Sequence, residues 1–195
     1  MNPSAVVGIA WLASVVSWGG AALWSGRTET RVPRDSREVR RYRLCLVVGL
    51  VLLSHWFAGT VGAHPLWFVR IEVADVLAVI CVAGLLFTWW ARLHLGRLWS
   101  GSVTRKVGHR VVDSGPYAIV RHPIYTGILA AVVATAALKA TIPALLSLGF
   151  VFAGLWLKAS LEERFLAEQL GADAYGAYRL RVPMLIPFGR RYKQP

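Results

Sequence analysis

The sequence predicts an all-α integral membrane protein: about five transmembrane helices, the last two forming a short helical hairpin, with a cytoplasmic C-terminal region. Three observations point there. Hydrophobic residues make up 56% of the 195 residues and the mean hydropathy is +0.51, above the roughly 45–50% apolar content of a soluble domain. Those residues come in long blocks separated by polar stretches. The net charge of +12 is concentrated in the separators, where the positive-inside rule expects basic residues. They read as orientation signals and contacts to anionic lipid heads. No aromatic-interleaved basic face marks a nucleic-acid binder. Cys45 and Cys81 lie inside apolar blocks and read as packing residues, without zinc or disulfide spacing.

Each element follows in order. A first span runs from about Ser4 to Trp24, close to the ~20 residues that cross a bilayer core. It has no basic lead-in and carries Trp11, Trp18 and Trp24, so it reads as a retained span and not a cleaved leader. The arginine-rich loop 25–43 is expected on the cytoplasmic side. A second span covers about Leu44 to Val61, with His55 inside it as a hydrogen-bonded helix residue. His64-Pro65 turns the chain on the outer side. A third span runs from about Ile71 to Trp90, and the basic stretch Arg92–Arg121 returns to the cytoplasm. The apolar region 124–157 is broken at Lys139–Pro143. Two full crossings need ~40 residues, so it fits a tight hairpin. From Lys158 a polar, basic tail forms a cytoplasmic helix. The N-terminus is expected outside and the C-terminus inside, with 1–91 an N-terminal three-helix part and 92–195 the remainder.

That orientation gathers the chemistry-bearing residues on one side. Pro123 suits the first turn of a helix, which puts His122 at the N-cap, beside free N–H groups that attract a carboxylate. Tyr117 and Tyr125 flank this turn with aromatic faces that attract cations. Interfacial anchoring by Tyr and Arg121 explains the same residues, and the residues alone leave both readings open. Glu162 and Glu163, just after Lys158, fit a solvated first helical turn or a pair with one carboxylate facing a pocket. His109-Arg110-Val111-Val112 could run extended beside a ligand or be an ordinary loop.

The ordered series Leu95-Gly96-Arg97-Leu98-Trp99-Ser100, His109–Val112, Ser114-Gly115-Pro116-Tyr117 and Arg121-His122-Pro123-Ile124-Tyr125-Thr126-Gly127 resembles the integral-membrane methyltransferases. That family includes the isoprenylcysteine carboxyl methyltransferases and phospholipid N-methyltransferases. Glu162-Glu163, Leu170-Gly171, Tyr175, Tyr178 and Arg181-Val182-Pro183 continue the pattern. The resemblance implies a cytoplasmic C-terminal region that binds S-adenosylmethionine through His109, Arg110, Val111, Val112, Tyr117, His122, Pro123, Tyr125, Glu162 and Glu163. It implies Arg121 and Lys158 as catalytic groups beside the acceptor, and no metal. A lipophilic acceptor would enter sideways from the bilayer. Lys158 stands where the isoprenylcysteine enzymes have a substrate-holding arginine, and lysine lacks the fork that clamps a carboxylate.

A membrane methyltransferase acting on an isoprenylcysteine-like carboxylate is therefore the leading expectation. A lipid-amine N-methyltransferase, an NADPH-dependent sterol-type reductase and a non-catalytic membrane scaffold are the alternatives. Acceptor and oligomeric state are not encoded in any motif.

Overall fold

The computed structural model describes residues 2–108, 110–170 and 172–188, without the side chains of 55–57, 170 and 172–174. His109, the side chain of His55 and the Leu170-Gly171 motif therefore lie outside the described residues. The chain is mostly helical. Helix α1 spans Pro3–Ala21, capped by the Asn2 side chain accepting from the Ser4 N–H, with proline in its first turn. Helix α2, Arg37–Leu53, starts at Ser36, whose hydroxyl accepts from the Val39 N–H, and has Glu38 in its first turn. The short α3 covers His55–Thr60 and α4 covers Ile71–Leu95. Helices α5 (Pro123–Lys139), α6 (Ile142–Leu170) and α7 (Ala172–Arg181) complete the set.

Among the described residues, three helices, at 3–21, 71–98 and 142–169, are long and apolar enough to cross a membrane. The protein is an integral membrane protein on that ground, and outward-facing Ile9, Leu12, Val16, Val76 and Val79 give it an apolar exterior. The expected second span is not one helix over 44–61. It starts earlier, at Arg37, and is interrupted at Ser54, whose backbone turns extended while its hydroxyl bonds the Val51 carbonyl. Helix α5 has 17 residues, a short arm as expected, but α6 is long enough to cross a membrane, so the hairpin is not short in both arms. The hairpin turns at Ala140, which has φ +53° and donates its N–H to Ala136.

Two further expectations are corrected. The tail does not begin a new helix at Lys158: α6 runs through it without a break for 29 residues. No proline or glycine falls between Leu155 and Leu170, and the leucines, alanines and glutamates there favour helix. Glu162 and Glu163 are therefore mid-helix and cannot serve a first turn. The fold is also not purely α. Strand β1 (Thr28–Arg31) pairs antiparallel with β2 (Thr104–Lys106), with Thr28 opposite Lys106. This ribbon joins the two arginine-rich connections, so both lie on one side of the helices. Thr30 reaches Gln169 at the end of α6 at 3.3 Å, which puts that end on the same side.

The helices pack in the order α1, α4, α5, α6, α2. Consecutive helices α1 and α2 thus stand at the two ends of an open arc. Small residues set the close contacts. A Cβ on Gly84 of α4 would lie 2.7 Å from the Gly127 carbonyl of α5, and one on Gly49 of α2 would lie 2.6 Å from Val151 of α6. Such glycines let membrane helices approach when solvent offers little driving force. Gly127→Ala forces the α4 and α5 backbones apart, and it is expected to destabilise the protein by about 1–3 kcal/mol. A thermal melt in detergent that matches the wild type would contradict this. Helix α1 is held at two heights: Trp11 Nε1 donates to Thr135 at 3.0 Å, and Arg92 donates to the Ala21 and Trp24 carbonyls at 2.8 and 2.6 Å. Arg92 also lies 5.0 and 4.5 Å from the centroids of the Trp24 and Trp99 rings, cation–π contacts that close the end of α1.

Candidate active site

The site is built at the junction of α5, α6 and the segment after α7. Gly115, at φ +56°, opens a 3-10 turn over Gly115–Ala118; a Cβ there would meet the His94 ring at 2.7 Å. Glycine is needed for both reasons. Its neighbour Tyr117 is buried, donates to the Ala91 carbonyl at 3.4 Å and accepts at its own carbonyl from Tyr178 at 2.7 Å. Two backbone bonds, Arg121 N–H to Pro183 at 2.9 Å and His122 N–H to Met184 at 3.1 Å, lay the C-terminal segment against the turn. Pro123 then begins α5 with His122 at its N-cap, as the Arg-His-Pro sequence predicts.

The adjacent glutamates of α6 face different partners, because successive helical residues diverge by about 100°. Glu163 is buried and accepts from Arg121 Nε and Nη2, one edge of the guanidinium on both carboxylate oxygens, at 2.6 and 3.2 Å. It also meets Arg179 Nε at 3.2 Å and His122 Nε2 at 3.2 Å. The remaining Arg121 nitrogen donates to the Arg179 and Val182 carbonyls. All three guanidinium nitrogens of Arg121 thus have protein partners. This network ties α5, α6 and the end of α7 into one unit.

Glu162 points elsewhere. The Tyr125 hydroxyl donates to it at 2.8 Å, His122 Nδ1 lies at 3.6 Å, and Lys158, one turn earlier, places Nζ at 3.9 Å. Tyr125 and His122 stack with ring planes 2° apart and centroids 5.3 Å apart. Lys158 Nζ donates to the Gly101 carbonyl at 3.0 Å and sits 5.2 Å from the Tyr125 ring centroid.

These groups line one end of a cavity of about 460 Å³. Arg110, Val111 and Val112 form another wall of that end, joined by Tyr117, Tyr175 and Tyr178. Burial pushes the Tyr117, Tyr175 and Tyr178 phenols well above their ordinary pKa; neighbouring Glu162 and Glu163 add to this, and Arg121 opposes it at Tyr175 and Tyr178. All three stay protonated at neutral pH. The rest of the cavity is apolar, running between α1 and α2 past Trp11, Val15, Leu46 and Leu50 to the α6 residues Val151 and Leu155. A small polar chamber opens into an apolar slot in the gap of the helical arc.

Of the residues expected from sequence, Arg110, Val111, Val112, Tyr117, Arg121, His122, Pro123, Tyr125, Lys158 and Glu162 all border this cavity. Glu163 lies behind it in the ion network. Sequence reasoning did not place Tyr175 and Tyr178 in the wall or Arg179 beside Glu163. The i, i+3 spacing of the tyrosines, which puts them on one face, was the available signal.

Residues 76–168 match the model of the isoprenylcysteine carboxyl methyltransferase (ICMT) family, so the resemblance carried by the motifs holds over that segment. The match takes in most of α4, all of α5 and most of α6, and stops short of α7. A second similarity is to the cobalt-zinc-cadmium resistance protein CzcN of Cupriavidus metallidurans, 28% identical over 139 residues, or 60% of this chain and 63% of that protein. The chain thus spans less than two thirds of that relative, and its name carries no argument about a methyl acceptor.

Proposed function

We propose that the protein is an S-adenosylmethionine-dependent methyltransferase whose acceptor is the carboxylate of an isoprenylcysteine-like amphiphile. The observation that carries this reading is the Lys158–Glu162 pair. A cation and an anion, one turn apart on α6, stand where the polar chamber meets the apolar slot. The chamber's chemistry fits the cofactor. Glu162, already oriented by Tyr125, suits its ammonium group. The stacked His122 and Tyr125 rings, with Tyr117, offer faces to a sulfonium. Arg110–Val112 would flank the remainder, with His109 and Pro123 beside it.

When bound, S-adenosylmethionine supplies a methyl group on a sulfonium, transferred to an acceptor oxygen as the sulfur leaves as a neutral thioether. Lys158 would hold the acceptor carboxylate in line, and the apolar slot would take the lipid chain from the bilayer. The chain's task is positioning and exclusion of water. Arg121 and Glu163, engaged with each other, act as positioning residues that hold His122 and the α7 wall. The lysine argues against an amine acceptor, since it would repel an ammonium head. We further place the paired arginine-rich connections, the chamber and the C-terminus on the cytoplasmic side, following the positive-inside rule.

Calorimetric titration of the detergent-purified protein tests the reading. S-adenosylmethionine is expected to bind and NADPH not to; the reverse would sink the methyltransferase assignment in favour of a reductase. With prenylcysteine acceptors, Lys158→Ala is expected to raise the acceptor KM ~10-fold or more, with cofactor affinity little changed. Equal losses in both would remove Lys158 from the acceptor role.

A further inference from the structure

A second cavity, of about 630 Å³, lies at the opposite end of the gap between α1 and α2. Trp11 and Leu50 border both cavities, so the second continues the slot of the first. Its walls are Val7 of α1, Leu53 of α2 and Leu138 of α5, and its polar rim includes Ser4, Thr141 and Lys139. Lys139 ends α5 at the hairpin turn. Its Nζ is buried, and among the described residues it has no hydrogen-bond partner and no acidic residue borders the cavity. An ammonium held among apolar walls without a counter-charge is costly. The chemistry of this cavity suits an anion beside Lys139.

We propose that this cavity binds the anionic headgroup of a membrane phospholipid, with its phosphate on Lys139 and one acyl chain lying in the slot toward Trp11 and Leu50. Charge complementarity selects an anionic head. The apolar walls and the opening between two lipid-facing helices select a lipid over a free anion. The site is separate from the chamber at Glu162 and stands whether or not the methyltransferase reading holds.

Thermal unfolding of the full chain in detergent, titrated with lipid and without S-adenosylmethionine, tests it. Phosphatidylglycerol is expected to raise the wild-type Tm by ~3 °C or more. Phosphatidylcholine of the same chains and inorganic phosphate are expected to leave it unchanged. Lys139→Met removes a buried charge, so without lipid it should melt at or above the wild-type temperature, and it should lose the phosphatidylglycerol shift. Lys139→Arg should keep that shift. A shift undiminished in both Lys139→Met and Lys139→Gln would assign it to the exposed arginines and overturn the proposal. An equal shift with phosphatidylcholine would mean a chain-binding groove with no headgroup site, and one with phosphate alone would mean an anion site with no lipid; either overturns it too.

Discussion

Glu162→Gln is expected to weaken S-adenosylmethionine binding by about tenfold to a hundredfold, the loss of one charge-assisted hydrogen bond, with little change in Tm. The carboxylate borders the chamber and its near partners are Tyr125, His122 and Lys158. Glutamine keeps an acceptor oxygen for the Tyr125 hydroxyl, so the local packing survives. It loses the charge that would meet a ligand ammonium. Removing that charge also leaves the Lys158 ammonium 3.9 Å away without its acidic neighbour. That ammonium keeps the Gly101 carbonyl at 3.0 Å, which limits the structural penalty. Calorimetry on variant and wild type, paired with melts of both, separates the outcomes. Unchanged affinity would mean that Glu162 does not touch the cofactor. A large drop in Tm would mean that it is part of the scaffold.

The apolar blocks foretold α1, α4 and the hairpin, because a bilayer demands long runs without charge and the chain supplies them. The turn at Ala140 was legible from Lys139–Pro143, where a proline three residues beyond Ala140 suits the first turn of a new helix. The break at Ser54 was not, since a serine inside an apolar run fits a continuing helix equally well until its hydroxyl is seen on Val51. The β1–β2 ribbon was hidden for another reason. Its residues, Thr28–Arg31 and Thr104–Lys106, are short and charged, and only their pairing across the helical arc makes them strands. The residues that border the chamber were legible in outline from their motifs. Which glutamate faces the chamber was beyond sequence, because adjacent positions on α6 differ only in the direction that helix packing assigns them. That direction also separates Arg121 from Lys158. Both are cations near a carboxylate, yet Lys158 lies one turn from Glu162 on the chamber face while Arg121 is committed to Glu163 behind it.

Arg121→Ala should therefore fail in a different way. It is expected to cost about 3–5 kcal/mol of stability, as removal of one partner from a buried ion pair does, because Glu163 would keep its charge at 5% side-chain exposure with the bidentate partner gone. His122 and Arg179 would remain beside it but supply no matching fork. The bonds from Arg121 to the Arg179 and Val182 carbonyls vanish as well, and with them much of what holds the end of α7 to the turn. Tyr175 and Tyr178 would then leave the chamber wall, so cofactor affinity should fall together with Tm, and limited proteolysis should cut first near residues 172–188. Arg121→Ala combined with Glu163→Ala should recover part of the lost stability, because no charge is stranded when both partners leave; the interaction energy from that cycle measures their coupling. A contrary result has a clear reading. If Arg121→Ala melts like the wild type and binds S-adenosylmethionine normally but raises the acceptor KM, the guanidinium is released from Glu163 during turnover and holds the acceptor itself, as the family resemblance implies.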